Sequence, residues 1–186
     1  MIRMQTLSSV DEVFALLESG GAEAYFGEPV TVLEHCLQAA WFIQREGAEN
    51  TLIAAALLHD LGHLLHSEGE DVAARGLDTQ HEELGVAALD GHLPTSVIDP
   101  IRLHVAAKRY LCFAEPDYLA ALSPSSVESL ALQGGPMSAA ESEIFLALPH
   151  ARDALKLRRA DDEAKVCGLD VPRLDAYRPL VDSLWR

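Results

Sequence analysis

At 186 residues, with 29 acidic against 14 basic side chains and a formal charge of −15, the chain is long enough for a full hydrophobic core and ill suited to grip a nucleic-acid backbone. Its longest apolar run falls far short of the roughly 18 residues that a membrane span needs, and Met1 to Ser9 carries no sustained apolar segment of the kind that directs export. The three cysteines, Cys36, Cys112 and Cys167, are too scattered for a disulfide framework or a zinc ribbon, which fits a reducing cytoplasm.

Helical periodicity runs almost throughout. Val10, Val13, Phe14 and Leu17 predict a helix over 9–18, ended by Gly20-Gly21 and followed by a loop from Ala22 to Pro29. Thr31 with Glu34 forms a capping box that opens the next helix, places His35 in its first turns and lets it stop near Gly47. Asn50 caps a third helix expected to reach about His63 or Leu65. It is apolar over most of its circumference and therefore central to the bundle. Residues 67–78 read as a loop, after which Thr79 with Glu82 gives a second capping box and puts His81 at the start of a helix ending near Gly91.

Pro94 and Thr95 open a helix with Val97, Ile98, Ile101 and Val105 on its apolar side; on it His104 and Lys108, four apart, project from one face. Ser123-Pro124 has the cap-then-proline order of a helix start, and Gly134-Gly135-Pro136 ends that helix. Ser138 with Glu141 is a third capping box. A helix from about Ala151 to Lys165 carries Arg158 and Asp161 one turn apart, and Pro172 starts the last helix. No β-alternation, repeat or linker interrupts the pattern, so the expectation is one all-α domain over residues 1–186, a bundle around a central helix.

That central helix ends in Leu57-Leu58-His59-Asp60-Leu61-Gly62-His63. Burying a charge beside such apolar neighbours is unfavourable unless it is paired or holds a metal. Imidazole and carboxylate together suit a transition metal, and the adjacent pair could serve one ion or bridge two. His35, His81, His104 and Asp161 supply further candidate ligands, more than a mononuclear site uses. His66, His92 and His150 read as structural or solvent-facing. Lys108-Arg109 and Lys156, Arg158 and Arg159 form two basic clusters, each beside a candidate ligand. In so acidic a chain, that recurrence favours a pocket for an anionic substrate over two solvated helix faces.

The series His35, His59-Asp60, Asp161 resembles the HD-domain superfamily, whose minimal form is a metal-dependent phosphohydrolase built from packed helices. With His81 and His104 added, the chain resembles its dinuclear branch, which includes mixed-valent diiron oxygenases such as myo-inositol oxygenase. Closer still, it resembles the small HD oxygenases that cleave the carbon–phosphorus bond of 1-hydroxy-2-aminoethylphosphonate and its N-trimethyl relative. The similarity runs from roughly Leu7 to Tyr177. It rests on Tyr25-Phe26-Gly27-Glu28, Leu33-Glu34-His35, Leu57 to His63, Gln80-His81-Glu82, His104 to Tyr110, and Gln133-Gly134-Gly135-Pro136-Met137.

The resemblance implies one iron on His35, His59, Asp60 and Asp161, and a second on His81, His104 and a bridging Asp60, cycling between Fe(II) and Fe(III) with O2 as cosubstrate. It implies a zwitterionic hydroxyphosphonate as the small-molecule partner, chelating the second iron, with Lys108 and Arg158 as its anion pocket and His63, Ser126 and Gln133 as further donors. Tyr25 would fill the open iron position before substrate arrives, and Glu28 would face the substrate nitrogen. Phosphate would leave, together with glycine or glycine betaine. Two choices stay open on the residues themselves: Ser125 rivals Ser126, and Asp162 rivals Asp161. A hydrolase using the same ligands on a phosphate ester is the alternative activity, and a non-catalytic regulatory module the third. The ligand count and the Tyr25–Glu28 loop stand against both.

Overall fold

Seven consecutive residues, Leu52 to Leu58, are all buried, so the helix they form must have neighbours on every side. In the computed structural model, which describes residues 6–25, 27–65 and 75–186, it does. This helix, α3 (Asn50–Leu58), packs against α2 (Val32–Arg45), α5 (Thr95–Ala114), α9 (Ala151–Glu163) and α10 (Arg178–Leu184). Ala54, Ala55 and Ala56 form its middle, and such small side chains let the flanking backbones approach closely. The remaining helices are α1 (Val10–Gly20), α4 (His81–Leu89), α6 (Tyr118–Ala121), α7 (Pro124–Leu132) and α8 (Ala139–Leu146). The described residues form no strand beyond one isolated bridge, Ala24 with Thr31, and none of their helices is long and apolar enough to cross a membrane.

Local chemistry sets most helix starts. The Thr31–Glu34 and Ser138–Glu141 capping boxes are both formed, and Ser123 caps α7 with Pro124 at its first position. Four expectations need correction. Helix α3 ends at Leu58, short of His63: His59 is its C-terminal cap and Leu61–Leu65 tightens into a 3-10 turn, which turns His59 and Asp60 inward together. Asn50 is the first helical residue and Glu49 stands at the cap, without a side-chain hydrogen bond. No capping box forms at Thr79; Gln80 occupies the cap in the left-handed region (φ 50°), its N–H donating to Asp78 Oδ1 at 3.1 Å. After Pro172 the chain makes a 3-10 turn, Leu174–Tyr177, before α10 begins at Arg178. Most of the predicted 67–78 loop, and His66, lie outside the described residues.

The principal core joins α1, α2, α3, α4, the first half of α5 and α9, and a smaller apolar cluster joins the second half of α5 to α8. Between the 3-10 turn after α3 and helix α4 the contact is backbone against backbone. A Cβ on Gly62 would lie 1.8 Å from the His81 carbonyl oxygen and 2.9 Å from the Gly85 nitrogen. Only glycine fits there. Gly62→Ala is therefore expected to destabilise the protein by roughly 1–3 kcal/mol, the usual range for overpacking, and to push His81 out of place. Thermal melting and metal content check this; an unchanged melting temperature would contradict it.

Candidate metal centre

Five elements deliver six candidate ligands to one point. His35 comes from the first turns of α2, His59 and Asp60 from the end of α3, His81 from the first residue of α4, His104 from the middle of α5 and Asp161 from the last turn of α9. All six are buried, His35 and His59 completely. Asp60 is the hub. Its Oδ1 lies 3.4 Å from His59 Nε2, 3.5 Å from His81 Nε2 and 3.7 Å from His104 Nε2, while Oδ2 lies 3.4 Å from His35 Nε2. The donors fall into two groups, His35 with His59 and Asp60, and His81 with His104 and Asp60, so the aspartate belongs to both. Asp161 Oδ1 joins the first group, 3.4 Å from His35 Nε2 and 4.0 Å from His59 Nε2.

The chemistry of the donors fits metal. His35, His59 and His104 turn Nδ1 onto the backbone carbonyls of Ala164, Ala56 and Ile101 at 2.8, 2.9 and 2.7 Å. A carbonyl only accepts, so each Nδ1 holds a proton and each Nε2 is left to present a lone pair inward. Those nitrogens face one another: His35 to His59 at 3.2 Å and His81 to His104 at 3.0 Å. Each pair needs a proton or a cation between its members. Two nitrogens at right angles about an ion at about 2.1 Å would stand about 3.0 Å apart, which is the spacing found.

The two groups differ electrostatically. Burial acts to lower the pKa of His35, but Asp161 and Asp60 outweigh it and raise the value to about 9, so an ion entering there displaces a proton. Burial and the neighbouring His59 bring His104 down to about 4, leaving it neutral at pH 7. His81 is likewise held well below its ordinary value, by burial and His63, and its Nδ1 faces a carboxylate oxygen, Glu82 Oε2, at 3.5 Å.

Around the hub lies a cavity lined by Tyr25, His63, Lys108, Ser126, Gln133 and Arg158, all of them residues that the sequence singled out. Tyr25 stacks on His35 at 4.0 Å and donates its hydroxyl to Asp60 Oδ2 at 2.7 Å. Burial and the charges of Asp60 and Asp161 raise its pKa well above 10, so it is a phenol. His63 stacks on His81 at 3.9 Å, with Nε2 3.9 Å from Asp60 Oδ1. Gln133 caps the end of α7, and its buried amide oxygen has no donor; turned over, the amide offers N–H to the cavity instead.

Arg158 links cavity to metal site: Nη1 donates to Asp161 Oδ2 at 2.6 Å and Nη2 to Ser126 Oγ at 3.4 Å. This separates both pairs of rivals. Asp162 is occupied by Arg158 and the Tyr118 hydroxyl, away from the histidines. Ser125 donates to Glu28 at 2.7 Å, while Ser126 is the serine beside Arg158.

Of the two basic clusters only Lys108 and Arg158 face the cavity. Arg109 holds the Gly135 carbonyl and Glu141, Lys156 pairs with Asp153, and Arg159 pairs with Glu115. Glu28 is not on the cavity wall; its carboxylate is 3.3 Å from Lys165 Nζ. Phe26, its neighbour in the loop, lies outside the described residues. Among the cavity residues that escaped sequence reasoning are Ser129 and Lys165. Ser129 accepts from Lys108 Nζ at 2.8 Å. Lys165 lies two residues past the end of α9, so helical phase from Arg158 did not mark it.

The sequence pattern of the HD domain family matches residues 32–128. The chain is 44% identical over 177 residues to the hydroxymethylphosphonate dioxygenase of Gimesia maris, covering 94% of this chain and 87% of that one. It is also 37% identical over 175 residues to the [1-hydroxy-2-(trimethylamino)ethyl]phosphonate dioxygenase (glycine-betaine-forming) of Leisingera caerulea, covering 94% and 89%.

Burial, with Arg158 adding to it, lowers the Lys108 pKa to about 7. Above that pH the amine is largely neutral, and an arriving dianion favours its charged form, so anion binding takes up a proton between about pH 7 and the ordinary lysine range. Calorimetric titration of the metal-loaded protein with a hydroxyphosphonate at pH 8, in buffers of different ionisation enthalpy, should show uptake approaching one proton. Lys108→Met should abolish the uptake and weaken binding about tenfold or more, by loss of a charge-assisted contact. Binding without proton uptake would contradict this.

Proposed function

Because the chain belongs to the HD domain family, we propose that it is a diiron oxygenase that cleaves the carbon–phosphorus bond of a 1-hydroxyphosphonate. The observation that carries this reading is the sharing of Asp60 by two histidine pairs beside a cavity walled by Lys108 and Arg158. One ion would be held by His35, His59, Asp60 and Asp161, and the other by His81, His104 and Asp60. The second has fewer protein ligands and so leaves room for the substrate's hydroxyl and one phosphonate oxygen. When bound, the irons supply the one-electron chemistry with O2 that no side chain here can perform.

The protein's own groups bind, orient and move protons. Lys108 and Arg158 neutralise the phosphonate, and Ser126, Gln133 and His63 fix its rotation through hydrogen bonds. Arg158 also holds Asp161, so a bound anion is registered against the metal ligands. Tyr25 and its hydrogen bond to Asp60 cover the site, and the phenol must swing aside for a chelating substrate. The reaction balances without an outside reductant: the hydroxyphosphonate and one O2 give inorganic phosphate and a carboxylic acid, with C1 oxidised and both oxygen atoms retained in products. A 2-amino substrate would give glycine, a 2-trimethylammonio substrate glycine betaine, and the parent hydroxymethyl compound formate.

The iron-loaded protein is expected to consume one O2 for each phosphate released from a 1-hydroxyphosphonate, measured with an oxygen electrode and a phosphate assay. Phosphate release under strict anaerobiosis would contradict the proposal and indicate hydrolysis.

A further inference from the structure

We propose that Lys165, paired with Glu28, makes this cavity selective for hydroxyphosphonates whose C1 substituent carries no positive charge, of which hydroxymethylphosphonate is the simplest. The inference rests on the hydroxyphosphonate reading above and orders the members of that class.

Lys165 is held in place with unusual definition for a residue just past a helix end. On one side the Ala164 carbonyl accepts from His35 Nδ1 at 2.8 Å. On the other, Gln38 clamps Val166 twice, its Nε2 donating to the Val166 carbonyl at 2.8 Å and its Oε1 accepting the Val166 N–H at 3.0 Å. Two buried side chains of α2 thus fix the backbone before and after Lys165. The ammonium reaches the cavity wall and makes three contacts: Ser123 Oγ at 3.2 Å, Ser126 Oγ at 3.2 Å and Glu28 Oε1 at 3.3 Å. Ser126 also receives Arg158, so Lys165 stands one hydroxyl away from the anion-binding arginine.

A substrate ammonium needs an uncommitted carboxylate or an aromatic enclosure. The cavity offers neither among its described residues. Asp60 and Asp161 belong to the ligand set, and Glu28 accepts from Ser125 and Lys165. Asp78 and Glu128 line the cavity but are exposed, where water and salt screen their charge. Among the described residues the one phenol or indole ring on the wall is Tyr25, stacked on His35 over one face, and a single ring makes no enclosure. A cationic substituent would instead enter a cavity already carrying Lys108, Arg158 and Lys165. An uncharged substituent leaves the Lys165–Glu28 pair intact.

Binding of hydroxymethylphosphonate and 1-hydroxy-2-aminoethylphosphonate is measured by anaerobic calorimetry on metal-loaded protein, with O2-dependent phosphate release from each as a separate readout. The wild type should bind the nitrogen-free compound at least about tenfold more tightly, and Lys165→Met, which frees Glu28, should bring the two within about threefold. Lys165→Gln, which keeps a polar contact to the serines, should do the same; metal content and circular dichroism show that either variant is folded. Equal binding by the wild type, or preference for the amine, overturns the proposal, as does a preference that survives in both folded variants. Loss of the oxygenase reading has a different signature: neither compound would release phosphate with O2, while the binding preference would still decide the role of Lys165.

Discussion

A single carboxylate, Asp60, sits within 3.4–3.9 Å of the Nε2 atoms of five histidines, and the rest of the structure depends on how that charge is satisfied. Very little of it meets water, because α3 is enclosed on every side and Asp60 follows directly on that helix at the floor of the cavity. Removing a carboxylate from water without a counter-charge is unfavourable by several kcal/mol. Of the surrounding rings, three of them fixed through Nδ1 by backbone carbonyls, His35 answers with a proton, whereas His81 and His104 stay neutral and offer lone pairs. One imidazolium does not balance two buried aspartates and a ring of neutral imidazoles, and on the proposed reading two irons would supply the remaining positive charge.

The same constraint explains the layering outside the ligands. Arg158 neutralises Asp161 and at once reaches Ser126 on the cavity side, so the charge balance of the metal site and that of the substrate pocket share one side chain. Lys108, destabilised as a cation by burial beside Arg158, is poised to regain its charge when an anion arrives. In a chain of formal charge −15, positive charge facing a cavity is a local construction against the global field, and it is built from few residues. Lys165 adds to it while being held to Glu28, which occupies a carboxylate that could otherwise pair with a cation.

Much of this was legible in the sequence because the signals were local. The Thr31–Glu34 and Ser138–Glu141 boxes are each a four-residue interaction, and both formed. All six candidate ligands, together with Lys108, Arg158 and Ser126, converge on one site, since helical phase and helix ends constrain where such residues can point. What was misread involved competition with tertiary structure. Thr79 and Glu82 match the capping pattern, yet Gln80 in the left-handed region opens α4, in a geometry that brings His81 to the metal site. The end of α3 was placed too late because apolar periodicity cannot distinguish an α-helix from the 3-10 turn that aims His59 and Asp60 inward. The partner of Glu28, 137 positions away along the chain at Lys165, has no local signature at all. That pairing arises only when the loop after α1 is folded against the end of α9.

The central claim is that Asp60 serves two ions at once, and metal analysis of variants tests it most directly. Reconstituted wild-type protein should hold two irons per chain, His81→Ala one, and Asp60→Ala neither, with far-ultraviolet circular dichroism confirming that the variants are folded. An Asp60→Ala chain that retained one tightly bound iron would contradict the account, because the aspartate would then belong to one site and not to both.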